Sequence, residues 1–187
     1  MKKIMSGLII AAAVVSGARP LPAAERGRVS PHDTVSAVVD GSRVTVVYGR
    51  PYSKDPKSGK IRKIWGGLVP FGQPWRLGAD EATLLVVEKP VLVGETRLDS
   101  GAYSLFFLPE EKGPSKLIIS KQVGQWGTQY DPSQDLARVD AARSFVDASK
   151  PATANVADQL AVYIGKNGSI DIDWENTRFS VPLRAVK

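Results

Sequence analysis

The chain of 187 residues contains no cysteine and one histidine, His32. Without cysteine there is no disulfide framework, thiolate metal site, cysteine nucleophile or lipid-anchored amino-terminal cysteine. With one histidine a His-rich metal centre cannot be built, and any Ser-His-Asp arrangement must use His32. His32 lies near the start of the expected mature chain, where segments are often poorly tied down, and reads as a solvated residue. Neither a phosphate-cradling glycine loop nor a nucleotide fingerprint nor a metalloprotease motif occurs. Long apolar runs are also scarce. The run Ile9–Val15 is too short for a comfortable membrane span.

That run has another meaning. Lys2 and Lys3 precede it, and small residues and Leu21-Pro22-Ala23-Ala24 follow it. This is the order of a secretory signal peptide, so residues 1–24 are expected to be a leader and the mature protein periplasmic or extracellular. Lys2, Lys3 and Arg19 go with the leader. Three of the 25 basic residues are thereby lost against 19 acidic ones, and the net charge falls from +6 to +3. No clustered basic face remains, which argues against a nucleic-acid partner. With 43% hydrophobic and 24% charged residues, the rest has the composition of one globular domain. Residues 25–33 are expected to be a flexible lead-in and 34–187 a single β-rich domain.

From Thr34 onward period two dominates. Val35, Ala37 and Val39 alternate with Ser36 and Val38, Asp40-Gly41 turns the chain, and Val44, Val46 and Tyr48 alternate again. Leu160–Ile164, Asn167-Gly168 and Ile170–Trp174 repeat the signal near the other end. Strands are also predicted at Thr83–Glu88, apolar on both faces as if covered twice, and at Val91–Leu98, Ala102–Leu108, Lys116–Ser120 and Arg178–Leu183. Turn signals about every ten residues favour an antiparallel β-sandwich or jelly roll. Tyr52–Trp75 reads as a long ordered loop. Over Ser133–Lys150 the spacing of Leu136, Val139, Arg143 and Val146 is near helical.

Several fragments in order resemble one exported bacterial family. They are Tyr48-Gly49-Arg50-Pro51, Arg62-Lys63-Ile64-Trp65-Gly66-Gly67-Leu68-Val69-Pro70, Trp75-Arg76-Leu77-Gly78-Ala79, Gly101-Ala102-Tyr103-Ser104-Leu105-Phe106, and Gln125-Trp126-Gly127 with Tyr130-Asp131. Over residues 30 to 183 they are similar to the family catalogued as domain of unknown function 2911. The resemblance implies one β-rich domain behind a signal peptide and a strand, not a helix, across Leu136–Val146. It brings no activity. Asp80 departs from the pattern, which usually has Asn there, and Lys116 stands where an aromatic residue often begins the strand.

Two clusters carry usable chemistry. Trp75, Arg76, Asp80 and Glu81 with Arg50 offer an aromatic plate, a guanidinium fork and two carboxylates, a set suited to a sugar or an anion. The alternative is plain ion pairing at a strand entrance. Asp80 and Glu81 are adjacent and are expected on opposite faces of a strand, which disfavours an acid/base pair. Gln125, Trp126 and Tyr130 lie on a glycine-flanked loop, where the indole is either a ligand platform or a buried plug. Asp171, Asp173 and Glu175 alternate with Ile170, Ile172 and Trp174 and read as a solvated outer face, not a calcium site. The sequence therefore favours an exported, non-catalytic binding or interaction module without metal or cofactor, taking a small molecule, a glycan or an envelope protein. A hydrolase working through Asp, Glu and Arg, or a structural envelope protein, remains the alternative.

Overall fold

The computed structural model describes residues 28–145, 157–165 and 167–186; the expected leader, residues 1–24, lies outside them. Eleven strands follow in chain order: β1 His32–Val39, β2 Ser42–Gly49, β3 Thr83–Val87, β4 Val91–Val93, β5 Thr96–Leu98, β6 Gly101–Leu108, β7 Ser115–Ser120, β8 Asp135–Phe145, β9 Ala157–Gly165, β10 Ser169–Glu175 and β11 Thr177–Ala185. They join in one antiparallel sheet of order β1-β2-β3-β6-β7-β8-β11-β10-β9, with the β4–β5 hairpin attached through β11. The sheet curls until its edge strands β1 and β9 meet, giving a nearly closed, barrel-like wall around one apolar core.

The turn chemistry accounts for the pairing. Asp40 (φ 47°) and Gly41 (φ 84°) both adopt left-handed backbone, which matches the twist of the β1–β2 hairpin. Along β2 every second residue, from Val44 and Val46 to Tyr48, is buried, as period two requires. The opposite half of the sheet supplies Ile170, Ile172, Trp174, Phe179 and Val181 to the same core. Each fully buried aliphatic or aromatic side chain here contributes about 1.5–3 kcal/mol before chain entropy is subtracted.

One expectation is met and three are corrected. Asp135–Phe145 is β8, the strand that the family resemblance implies across this stretch and not the helix that the spacing of Leu136, Val139 and Arg143 suggests; only Pro132–Gln134 forms a short 3-10 turn. Val91–Leu98 is two strands, folded back at Gly94-Glu95. β3 is central but not covered twice: Val86 is exposed, because the outer surface of a curled sheet faces water. The acidic stripe on β10 is not a solvated face either. Asp173 is only 1% exposed and is bound by its cross-strand neighbour Arg178 through Nε at 2.7 Å and Nη2 at 2.5 Å. Asp171 accepts a hydrogen bond from the Ser180 hydroxyl at 2.7 Å.

The long loop 52–75 closes one end. Its Ile64 and Val69 are buried, and Trp65 meets Trp75, Phe107, Trp174 and Phe179 edge-on, with ring centroids 5.1–6.3 Å apart. Aromatic edges against faces are the favoured packing of such rings. Among the described residues no helix is long and apolar enough to cross a membrane.

Candidate functional site

Beneath the loop, the ladder between β3 and β6 ends at Thr83–Leu105, and the next inward position on β6, Phe107, is taken by Trp75. Two hydrogen bonds of 2.7 Å fix that substitution. Residues 76–82 consequently leave the sheet as a strap. Its backbone is left-handed at Leu77 (φ 49°) and at Asp80 (φ 64°). Such conformations carry a strain of order 1–3 kcal/mol and persist where the surroundings over-determine them; Asp tolerates the second better than most residues.

The surroundings are glycines. A Cβ on Gly49 would strike the Ala79 carbonyl, with its carbon 3.0 Å away, and one on Gly78 would lie 2.9 Å from Gly49 O. A Cβ on Gly127 would lie 2.8 Å from both Asp80 O and Arg76 Cβ. The Gly127 amide donates to Asp80 O at 2.9 Å, and Ala82 donates to Gln125 O at 3.2 Å. The glycines of the Tyr-Gly-Arg-Pro, Arg-Leu-Gly-Ala and Gln-Trp-Gly fragments thus serve one junction, where three main chains touch around Asp80.

A cavity of about 420 Å³ opens between strap and loop, lined by Pro51, Tyr52, Arg62, Trp75, Arg76 and Asp80, with Leu68 and Trp174 among the apolar walls. Trp75 stacks on the fully buried Trp174 at 5.6 Å and 19°. Among the described residues the buried indole N–H of Trp174 finds no acceptor. Arg62 donates to Tyr52 O and Arg76 donates to Gly78 O at 3.2 Å. Neither guanidinium pairs with a carboxylate among the described residues, and Arg62 Nε is buried without a partner.

The sequence candidates divide. Trp75, Arg76 and Asp80 share the cavity. Arg50 stands beside it on the β1–β9 seam, donating to Leu160 O at 3.0 Å and pairing with Asp33 at 3.3 Å. Glu81 bridges to Trp126 in backbone pairing, but its side chain turns to the other flank of the strap, where it meets Arg28 and His32. Trp126 is 46% exposed and outside the cavity, whereas Gln125 is buried. Tyr130 lies elsewhere, packed on Phe106 at 4.7 Å and donating to Asp135 at 2.7 Å.

Two further expectations fail here. His32 is not a solvated residue of a flexible lead-in. It opens β1 opposite Gly49, only 24% of its side chain is exposed, and its Nε2 stands 3.3 Å from Asp80 Oδ2. Asp80 and Glu81 do not point apart, because the left-handed turn at Asp80 breaks strand alternation and brings both carboxylates to His32. Sequence reasoning also missed Tyr52, Arg62 and Leu68, for which the irregular loop offers no periodic signal.

Tyr130, away from the cavity, has its own pH signature. Burial, then the Asp135 carboxylate, push the Tyr130 phenol from its ordinary 10.0 up to about 12. A group whose pKa is raised on folding adds stability below its unfolded pKa and loses it as pH rises through the folded one. Stability should therefore decline between pH 10.0 and about 12. Tyr130→Phe should show a shallower decline in urea midpoints across that range; an unchanged slope would remove Tyr130 as the cause.

A family model described as a protein of unknown function, DUF2911, matches residues 30–183. No curated protein and no solved structure matches the chain.

Proposed function

The chain belongs to this DUF2911 family, which supplies no activity to inherit, and we propose from its own geometry that it is an exported, non-catalytic binding module for a small molecule carrying an anionic group. The supporting observation is the pair Arg62 and Arg76. They line a cavity walled by Trp75 and Tyr52, yet their hydrogen bonds go to backbone carbonyls. Guanidinium groups without a carboxylate partner beside aromatic faces suit a carboxylate or phosphate on a flat ring or sugar. The volume fits a ligand of metabolite size. The unpartnered indole N–H of Trp174 offers a further donor to an acceptor entering there. We read the scaffold as a sandwich-like double layer whose loop-covered end carries this site.

Intrinsic fluorescence of the four tryptophans reports occupancy. Titration with aromatic carboxylates, uronic acids and sugar phosphates should give a saturable change, with neutral sugars inert. Arg76→Ala should weaken the response roughly tenfold, the value of one charge-assisted contact, and Trp126→Phe should leave it intact. Binding that survives both Arg62→Ala and Arg76→Ala, or that never saturates with any anion, would sink the reading. Turnover of a bound ester or glycoside would move the protein to the hydrolase class.

A further inference from the structure

On the other flank of the strap from the aromatic wall, three potential ligand atoms converge: His32 Nε2, Asp80 Oδ2 and one Glu81 carboxylate oxygen, Oε2. We propose that they form a binding site for a divalent transition-metal cation, zinc by preference. Nε2 is 3.3 Å from Asp80 Oδ2 and 3.5 Å from Glu81 Oε2, and one donor atom from each residue lies within 4.8 Å of the others. Zinc bonds to nitrogen and oxygen of about 2.0–2.2 Å put the corners of a tetrahedron roughly 3.4 Å apart. The observed spacings are those of a ligand face.

The environment of Glu81 is a second, independent pointer. Its Oε1 accepts from the Arg28 guanidinium, while Oε2 is buried from solvent and has no hydrogen-bond partner among the described residues. One oxygen is thus held by a positioning cation and the other is left with its lone pairs unused beside an imidazole. An orphaned buried acceptor is costly, and an unseen cation removes the cost. Arg28 takes the place that outer hydrogen-bonding groups hold in metal sites, fixing the orientation of a ligating carboxylate.

The backbone supplies preorganisation. His32 is set by its register opposite Gly49, Asp80 by its left-handed φ, and Glu81 by the bridge to Trp126. One imidazole with two carboxylates suits zinc, cobalt(II), manganese(II) or iron(II). The set is too nitrogen-rich and too small for calcium and too hard for copper(I). The three side chains are 24%, 25% and 40% exposed, so a coordination position stays open to solvent. Asp80 also borders the cavity, but metal binding does not depend on the anion reading.

Cobalt(II) serves as the probe, since its visible absorption reports coordination directly, with zinc competition and calorimetry alongside. The purified protein should take up one cobalt per chain saturably, with zinc displacing it and raising the thermal midpoint. His32→Ala, Asp80→Asn and Glu81→Gln should each weaken binding at least tenfold. Asn is at ease in the left-handed conformation of residue 80 and Glu81→Gln is isosteric, so native circular dichroism in those two variants ties a lost response to the ligands. Absence of saturation at millimolar metal, or binding retained by all three variants, overturns the site.

Discussion

Arg178→Met should lower stability by about 3 kcal/mol, the low end of the cost of stranding one member of a buried ion pair. Asp173 is the stranded member. Its side chain is 2% exposed, and it accepts both contacts from Arg178, whose own side chain is 40% exposed. The guanidinium keeps access to water, so its removal costs little by itself; the loss comes from a carboxylate left without compensation in the wall of the core. The effect should appear as a lower urea midpoint with an unchanged slope. Changing both partners, Asp173→Asn with Arg178→Met, should recover much of the loss because no unpaired charge remains. If the single variant stays within about 0.5 kcal/mol of the parent, the range of an ordinary surface change, the pair is screened and the buried account is wrong.

The second large effect is steric. Gly49→Ala should cost about 3 kcal/mol, the upper end of typical overpacking. The new methyl meets the main chain of Ala79 and not the tip of a flexible side chain. Main chain cannot rotate away, so the strap must lift, breaking the bond from the Ala79 amide to Gly49 O at 3.3 Å. Gly41→Ala separates crowding from conformational strain. That position has φ 84° and nothing within 4 Å of the added carbon, so it should lose only about 1–2 kcal/mol. Equal losses at the two positions would show that crowding is not decisive. Because Asp80 follows Ala79, Gly49→Ala should also weaken cobalt uptake, whereas Gly41→Ala should not.

What was legible in the chain follows from how local each signal is. The β1–β2 and β9–β10 hairpins were read from Asp40-Gly41 and Asn167-Gly168 because turn residues and flanking alternation sit within a few positions of one another. Trp75, Arg76 and Asp80 were found by composition and do share a cavity. Arg62 and Tyr52 join them from a loop without periodicity, and only tertiary structure shows the approach. His32 meets Asp80 across 48 positions, a meeting set by the register of β1 on β2. Strand alternation puts Glu81 on the face opposite Asp80, but the φ of 64° at Asp80 breaks that alternation. The burial of Asp173 is not legible in the sequence, because period two separates faces but does not reveal that Arg178 covers one of them.

The seam between the edge strands has a consequence for how the molecule comes to exist. Tyr48 OH accepts from Val162 N across 114 positions, Arg50 reaches Leu160 O across 110, and Ser53 reaches Asp158 across 105. Contacts so distant reward the chain only after most of its loop-closure entropy is spent, which places such topologies in the millisecond-to-second range of folding times. Until β9 has been synthesised, the tyrosine that will be sealed by it stands at an unfinished border. A nascent or truncated chain ending before Leu160 therefore holds an open edge strand, with the aggregation hazard that open edges carry.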